Sequence, residues 1–219
     1  MITLGIIGIV AALTIPTLMH NYKKKEIETK LKRVYSVMNQ AVGLSIANGT
    51  WTQPPTDKRY DSDALHDWLK TALYPYLKVE DCYNSSKCKQ YSENYPITAI
   101  LPDGSSLNFA NNQQIHIYYS FNSSTTREDA KWGVDTFKFF LDYSNTQNKL
   151  GYFYPSGYAN AYTDDEAVED GQLSDIAVYG DRDGMIKYCS SKYTDYGATC
   201  ALLIMHDGWK ISDDYPVKF

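Results

Sequence analysis

Four cysteines are the residues of this chain best suited to covalent cross-linking. They form two close pairs, Cys82 with Cys88 and Cys189 with Cys200. Neither pair has the C-x-x-C spacing of zinc or thioredoxin-like sites. Four cysteines allow three disulfide pairings, and the sequence alone does not choose among them. Local pairing is the simplest interpretation, and it predicts an extracytoplasmic protein because disulfides persist outside the reducing cytosol. The alternative is four unrelated buried thiols.

The remaining reactive residues do not form a pattern typical of catalysis. The four histidines stand apart without ligand spacing, at His20, His66, His116 and His206. The sequence contains no G-x-S-x-G, H-E-x-x-H, Walker or dinucleotide-binding motif. We therefore expect a protein that is not an enzyme and has no catalytic, cofactor-binding or metal-ligating residues.

Two acidic stretches contain the residue types that bind calcium. One comprises 164–166 with 169–170, and the other is Asp181-Arg182-Asp183-Gly184. Neither contains the full pattern of a calcium-binding loop. We expect solvated turns in both places, with calcium as the less favoured alternative.

Composition and charge indicate a globular, β-rich protein. Hydrophobic residues make up 43% and charged residues 21%, which is ordinary for a folded domain. The net charge of −5 argues against nucleic acid as a partner, because nucleic-acid binders usually present a basic face. Twenty tyrosines favour strands with half-buried surfaces.

The first segment is long and apolar. Residues 2–19 contain no charge, and as a helix they would extend roughly 27 Å, close to the thickness of a membrane core. Nothing basic precedes the run and Lys23, Lys24 and Lys25 follow it, which disfavours a cleaved signal peptide. By the positive-inside rule these lysines would place the rest of the chain in the cytoplasm. The disulfide interpretation places it outside, and we follow the disulfides.

The helical pattern continues beyond the lysines to Asn48-Gly49, which is typical of a helix end. Glu26 and Glu28 stand four residues before Lys30 and Lys32, the favourable order for helix ion pairs. Pro16 lies inside this helix and predicts a kink or local melting. One narrow apolar stripe recurs at steps of three and four residues, at Ile27, Leu31, Val34, Met38, Ala41 and Ser45.

The rest of the chain has a different pattern. Residues 61–77 predict a short amphipathic helix, capped by Asp61 or Ser62 and disrupted by Pro75 near its end. Strand patterns then dominate, and because they follow the helices we expect an α+β fold. The predicted strands are 97–101, 106–109, 115–121, 136–143 and 151–154, with a closing hairpin of 201–205 and 209–211.

The run GIIGIVAALTIPTL, the lysines after it and the long amphipathic helix closely resemble the N-terminal region of type IV pilins and type II secretion pseudopilins. The matching features are Gly5, Gly8, Ala11-Ala12 and Ile15-Pro16, within a resemblance that covers about residues 2–48. A weaker resemblance covers the remainder, up to a C-terminal Asp207-Gly208-Trp209. It implies a long N-terminal helix packed on a C-terminal antiparallel sheet with an αβ loop between them.

The resemblance also implies an organisation and a function. Residues 1–22 would form a transmembrane or filament-core segment, residues 23–50 its amphipathic continuation, and residues 51–219 an extracytoplasmic head. The chain would be a structural subunit of a type IV pilus or type II secretion pseudopilus. Its partners would be other pilin-like subunits, the bacterial inner membrane and the assembly machinery. The alternative is a membrane-tethered adhesion or binding module that does not polymerise.

The resemblance departs from the family at the start of the chain. Family members carry a basic leader, a prepilin-peptidase site and a short stretch that includes a glutamate before this run. None of these precedes Ile2. Family processing and N-methylation are therefore not placed on any residue of this sequence.

Overall fold

A computed structural model describes residues 2–55, 61–112, 114–142, 151–157, 182–190 and 199–219. For residues 2–11, 13, 112, 114 and 142 it describes the backbone only. Five helices lie in these ranges: α1 (Ile2–Ala47), α2 (Ser62–Ala72), α3 (Tyr74–Leu77), α4 (Arg182–Cys189) and α5 (Cys200–His206). Six strands accompany them: β1 (Glu80–Asp81), β2 (Ile97–Ile100), β3 (Ser106–Asn112), β4 (Gln114–Ser120), β5 (Thr136–Asp142) and β6 (Tyr152–Pro155).

The strands form one antiparallel sheet in sequence order, β1 to β6, and this confirms the predicted α+β class. The helices cover one face: α1 lies against β6, α5 against β5 and α2 against β3. Side chains alternate along each strand, so one set faces these helices. That inner set includes Leu107, Phe109, Ile117, Tyr119 and Phe139, all fully or almost fully buried.

The apolar stripe of α1 packs against this face as predicted. Each of its six members is buried, as is Val42 beside them. The helix ends at Asn48-Gly49 because Gly49 adopts a left-handed backbone with φ of 69°. In that conformation the Gly49 and Thr50 amides donate to the carbonyls of Ile46 and Ser45, which closes the last turn.

Pro16 does not interrupt the helix. Helix α1 is continuous from Ile2 to Ala47 with Pro16 inside it, so the predicted local melting is wrong. The φ angle that proline prefers is compatible with a helix, and the turns on either side keep their own hydrogen bonds. A kink at this position stays a prediction.

One of the two predicted ion pairs of α1 forms. Lys30 Nζ lies 3.1 Å from Glu26, but the pair of Glu28 with Lys32 is wrong. The Glu28 carboxylate instead accepts the Ile211 amide at 3.0 Å and pairs with Lys25 at 3.5 Å. A contact distant in sequence therefore replaces the local pair.

The predicted helix 61–77 is divided into α2 and α3. Asp61 caps α2 by accepting the Ala64 amide at 3.0 Å, and Pro75 lies in the first turn of α3. Since proline has no amide hydrogen to continue α2, the chain restarts there. The apolar side of the predicted amphipathic helix is buried, and it consists of Leu65, Trp68, Leu69, Ala72 and Leu73.

The predicted strands 97–101, 106–109, 115–121, 136–143 and 151–154 correspond to β2 to β6, but the predicted closing hairpin is wrong. Residues 201–205 belong to helix α5. Asp207-Gly208, expected to be a hairpin turn, ends that helix: the amides of Gly208 and Trp209 donate to the carbonyls of Met205 and Ile204. The short apolar run fits a buried helix as well as a strand, so periodicity alone did not separate them.

Both cysteine pairs form disulfides, Cys82–Cys88 and Cys189–Cys200, as local pairing predicted. The second bond joins the end of α4 to the start of α5. These bonds indicate an extracytoplasmic location.

Asn39 fastens α1 to the edge strand β6. Its side-chain amide donates to the Phe153 carbonyl at 2.9 Å, and its side-chain oxygen accepts the Phe153 amide at 3.1 Å. Phe153 is fully buried, so its backbone groups have no ready replacement partner if this side chain is removed.

We predict that Asn39→Ala lowers the free energy of unfolding by about 1–3 kcal/mol, because it leaves the Phe153 amide and carbonyl unpaired. Urea denaturation of the head measures the change. Gln40→Ala is the matched control on the exposed side of the helix, and we expect a change within about 0.5 kcal/mol. Equal effects of the two substitutions would contradict the assignment.

Candidate functional site

The N-terminal section of α1 projects from the head with apolar side chains in solvent. Ile15, Leu18, Met19 and Tyr22 are 55–69% exposed, whereas Ile27 is fully buried. The change takes place within about one helical turn. Large exposed apolar side chains that cluster on one element mark an interaction surface. We call residues 12–22 of α1 the projecting section.

The five predicted assembly residues all lie on α1. Ala12 and Pro16 are exposed, whereas for Gly5, Gly8 and Ala11 the structure describes the backbone only. At 100° per residue, positions 5, 8, 12 and 16 share one side of the helix, and positions 15 and 19 adjoin it. Positions 5, 8 and 12 therefore lie on the same side of the helix as the exposed Ile15 and Met19, nearer its N-terminus. Their role in assembly stays a prediction.

A C-terminal segment braces α1 where it leaves the head. We call residues 207–219 the collar. Phe219 packs against His20 with ring centroids 5.4 Å apart, Asp213 pairs with Lys24 at 3.3 Å, and the Ile211 amide donates to Glu28. The collar thus contacts two to three turns of α1, from His20 near the end of the projecting section to Glu28. No local pattern predicts the collar's contacts with α1, because they join residues far apart in the chain, such as Lys24 and Asp213, which are 189 positions apart.

The collar is in turn fixed to the head. The Tyr215 hydroxyl donates to the Gly133 carbonyl at 2.8 Å, and burial raises the pKa of this phenol. Arg182 at the start of α4 makes a bidentate contact with Asp207, in which its guanidinium donates two hydrogen bonds to the carboxylate at 2.8 and 2.9 Å. It makes a second such contact with Asp214 at 2.7 and 2.8 Å. One guanidinium therefore joins α4, the end of α5 and the collar.

Arg182 also affects the alternative that residues 181–184 bind calcium. The expected solvated turn at 181–184 is wrong for residues 182–184, which form the first turn of α4. Two carboxylates near this turn, Asp207 and Asp214, already bind the guanidinium, which holds the pKa of each well below its usual range. Asp181 and the acidic stretch 164–170 lie outside the described residues.

Within the described ranges, one group of three potential metal ligands lies close together, formed by Glu80, Cys82 and Cys88. The two sulfurs are joined to each other, so they are not available as thiolates. This group therefore has one carboxylate to offer a metal ion.

The four histidines are as scattered in space as in sequence. His66 pairs with Asp81 at 2.7 Å and His206 with Asp207 at 3.2 Å. His116 packs edge-on against the Phe140 ring, with centroids 4.7 Å apart.

The outer face of the sheet carries an aromatic cluster. Tyr91, Tyr95, Tyr118 and Trp132 pack together there, separately from the main core. Burial raises the pKa of the Tyr91 and Tyr118 phenols. Beside Trp132 lies an open depression of about 460 Å³, lined also by Arg127 and Glu128. We call this region the outer-face cluster.

In the part of the chain whose side chains are described, no helix combines the length and the apolar character needed to cross a membrane. Most of the predicted segment 1–22 has only its backbone described, or lies outside the description, so its membrane role stays a prediction.

Comparison with known proteins gives one match. Residues 17–219 fit the model of a family of unknown function (DUF6613). The matched region begins one residue after Pro16 and includes the docked part of α1, the sheet and the collar. No curated protein and no solved structure matches the chain.

We predict that Arg182→Met loosens the collar in a pH-dependent way. Both carboxylates have lowered pKa values in the folded state, so their contribution to stability is present above about pH 4 and is lost as the pH falls through the folded pKa values. The melting temperature should fall clearly at pH 7, and the difference from the unsubstituted protein should shrink at low pH. Differential scanning calorimetry across this range measures it.

Lys70→Met is the control, because Lys70 makes a long, exposed pair with Asp67 at 4.0 Å. We expect it to cost no more than about 0.5 kcal/mol. A loss for Arg182→Met that is the same at all pH values would contradict the ionic account.

Proposed function

We propose that this chain, which belongs to the family of unknown function DUF6613, is a structural subunit that assembles into a filament of the type IV pilus or type II secretion pseudopilus kind. The observation that carries the proposal is the projecting section, an apolar length of helix held away from its own head. Such a surface needs either a membrane or other helices to cover it.

The energetics favour burial of this section. Fully burying a large apolar side chain contributes about 1.5–3 kcal/mol relative to leaving it in water. Ile15, Leu18 and Met19 are each more than half exposed, so several kcal/mol per subunit become available when they are covered. A bilayer would cover them in the monomer, and neighbouring helices would cover them in a filament.

The predicted assembly residues fit a helix that exchanges lipid for other helices. Gly5, Gly8, Ala11 and Ala12 are small, which lets helix backbones approach closely and replaces lipid contacts by packing. In this proposal Pro16 separates that small-residue stretch from the rest of the helix. The collar supports the role by fixing the direction in which the helix leaves the head.

The proposed role is non-catalytic. The subunit would lie in the bacterial inner membrane with its head outside the cytoplasm, and would pass into a periplasmic or cell-surface filament on assembly. Its partners would be further copies, other pilin-like subunits and the assembly machinery. The two disulfides support the extracytoplasmic part of this proposal.

A second candidate is a tethered module that binds a ligand without polymerising. The depression beside the outer-face cluster favours it, because the partly buried Trp132 ring next to Arg127 and Glu128 is suited to stacking against a ring-shaped ligand. The two candidates differ in what the projecting section must do, since a tether requires anchoring but no packing between copies.

We predict that the double substitution Leu18→Gln with Met19→Gln abolishes filaments while the head stays folded. Both side chains are exposed in the monomer, so their replacement should change head stability by no more than about 0.5 kcal/mol. Electron microscopy and sedimentation of sheared material measure filaments, and thermal melting of the head measures folding.

Leu44→Gln is the matched control, because Leu44 is 50% exposed on the docked part of the same helix. It should leave filaments intact. Membrane fractions should contain equal amounts of each variant. Filaments at the normal level in the double variant would contradict the proposed assembly surface.

We also predict that Gly5→Leu with Gly8→Leu abolishes filaments but not membrane association, because the added side chains keep helices apart while the segment becomes more apolar. Gly43→Leu is the control, since Gly43 faces open space on α1. A tethered module should bind its ligand equally well with and without the Gly5 and Gly8 substitutions. Ligand binding by an unsubstituted protein that forms no filament would therefore favour the second candidate.

A further inference from the structure

A charged groove runs between α1 and the start of the collar. Its volume is about 500 Å³, and it lies on the solvent side of α1, next to the turn that ends α5. Four basic side chains line it: Lys25, Lys32, Arg33 and Lys210. We call it the basic groove. It is separate from the projecting section, which lies nearer the N-terminus of the same helix.

Two of the four basic side chains lack an ionic partner. Arg33 pairs with Asp103 at 2.8 Å and Lys25 with Glu28 at 3.5 Å. Lys32 and Lys210 are exposed and form no ion pair with any residue that the structure describes. The groove therefore has positive charge in excess, on a protein whose net charge is −5.

The wall of the groove is rigidly built. Trp209 takes a left-handed backbone conformation with φ of 64°, which is unusual for a bulky residue. Its amide bonds to the Ile204 carbonyl at 2.8 Å, and its ring packs against Tyr35 with centroids 5.0 Å apart. Because packed groups fix this wall, a partner would meet a surface that needs little reordering.

The position of the groove disfavours lipid headgroups as its partner. If residues 1–22 cross the bilayer, Lys25 at the near end of the groove lies about 5 Å above the end of the membrane segment, whereas Lys32, with no ionic partner in the described ranges, lies about 15 Å above it. The headgroup layer on one side of a bilayer is only about 5–8 Å thick. The groove therefore faces the space in which neighbouring heads would stand.

The side of the head away from α1 carries exposed carboxylates without an ionic partner. Glu128 lines the depression of the outer-face cluster, and Glu93 lies between Tyr91 and Tyr95 of that cluster along the chain. Neither forms an ion pair within the described ranges. Arg127 and Glu128 line the depression with opposite charges, and Glu93 adds one further carboxylate. We call Glu93, Arg127 and Glu128 the outer-face rim, and its formal charge is −1.

We infer that the basic groove of one copy receives the outer-face rim of a second copy, with Lys32 and Lys210 facing Glu93 and Glu128. The two surfaces lie on different sides of the molecule, so the contact joins copies head to tail. A contact between two different patches of the same protein continues into an open helical array unless its rotation closes a ring. The inference rests on the proposed filament function and specifies the subunit contact that it needs.

Zero-length cross-linking of the unsubstituted full-length protein tests this contact. A carbodiimide joins a carboxylate to an amine only where the two touch. Filaments or detergent-solubilised oligomers would be prepared from an equal mixture of ¹⁴N- and ¹⁵N-labelled chains, so that mass spectrometry separates links between copies from links within one. We expect inter-chain links from Lys32 or Lys210 to Glu93 or Glu128. Links from these lysines to other carboxylates only, or none, would overturn the inference.

Charge reversal provides a second, independent test. Lys32→Glu with Lys210→Glu should lower oligomer yield about tenfold or more at low salt, because like charges would then face each other. The same loss is expected for Glu93→Lys with Glu128→Lys, and mixing the two double variants should restore association. Lys87→Glu is the control for the single reversals Lys32→Glu and Lys210→Glu, because it makes the same charge change at an exposed lysine in the Cys82–Cys88 loop. It should have no effect.

The outcomes separate this inference from the proposed function. If the unsubstituted protein forms no oligomer and no filament, the proposed function fails. If it assembles normally and the reversed groove assembles equally well, only the groove contact is overturned. Loss of binding to anionic vesicles in the reversed variant, with normal oligomers, would assign the groove to lipid and would also overturn the inference.

Discussion

The burial of one stripe of α1 against the sheet is the interaction on which the rest of the molecule depends. From Ile27 onward the stripe is covered by the inner face, whereas residues 12 and 14–22 are exposed, although His20 among them contacts Phe219. The same helix is therefore a core element in its docked part and an exposed surface in the projecting section. The division between these two parts determines which contacts stabilise the monomer and which remain available to partners.

Where the sequence prediction agrees with the structure, a local pattern was enough to predict the element. The spacing of Ile27, Leu31 and Val34 identified the docked face of α1, and the strand patterns at 97–101 and 106–109 identified β2 and β3. Where they disagree, a contact distant in sequence or an ambiguous short run decided. The sequence predicted a strand where helix α5 lies, because five apolar residues in a row have no period. Glu28 accepts the Ile211 amide and does not pair with Lys32, its predicted partner on the same helix.

The features of the candidate site also fall into those that the sequence predicts and those that it does not. The small residues and the apolar run of α1 can be recognised in the sequence, because they depend on composition along one helix. The collar, the basic groove and the outer-face cluster are not, because each joins segments that are far apart in the chain. Arg182 illustrates the point: in the sequence it stood in an acidic turn, and only the fold shows that it joins Asp207 to Asp214.

The collar has a consequence for the order in which the protein matures. It is synthesised after every strand of the sheet, whereas α1 leaves the ribosome first. Throughout translation the nascent chain therefore carries an apolar helix whose bracing contacts do not yet exist. A bilayer that accepts the helix early would keep it out of water until the collar closes. Chains that stop short of residue 207 would carry a helix without the collar contacts to His20, Lys24 and Glu28.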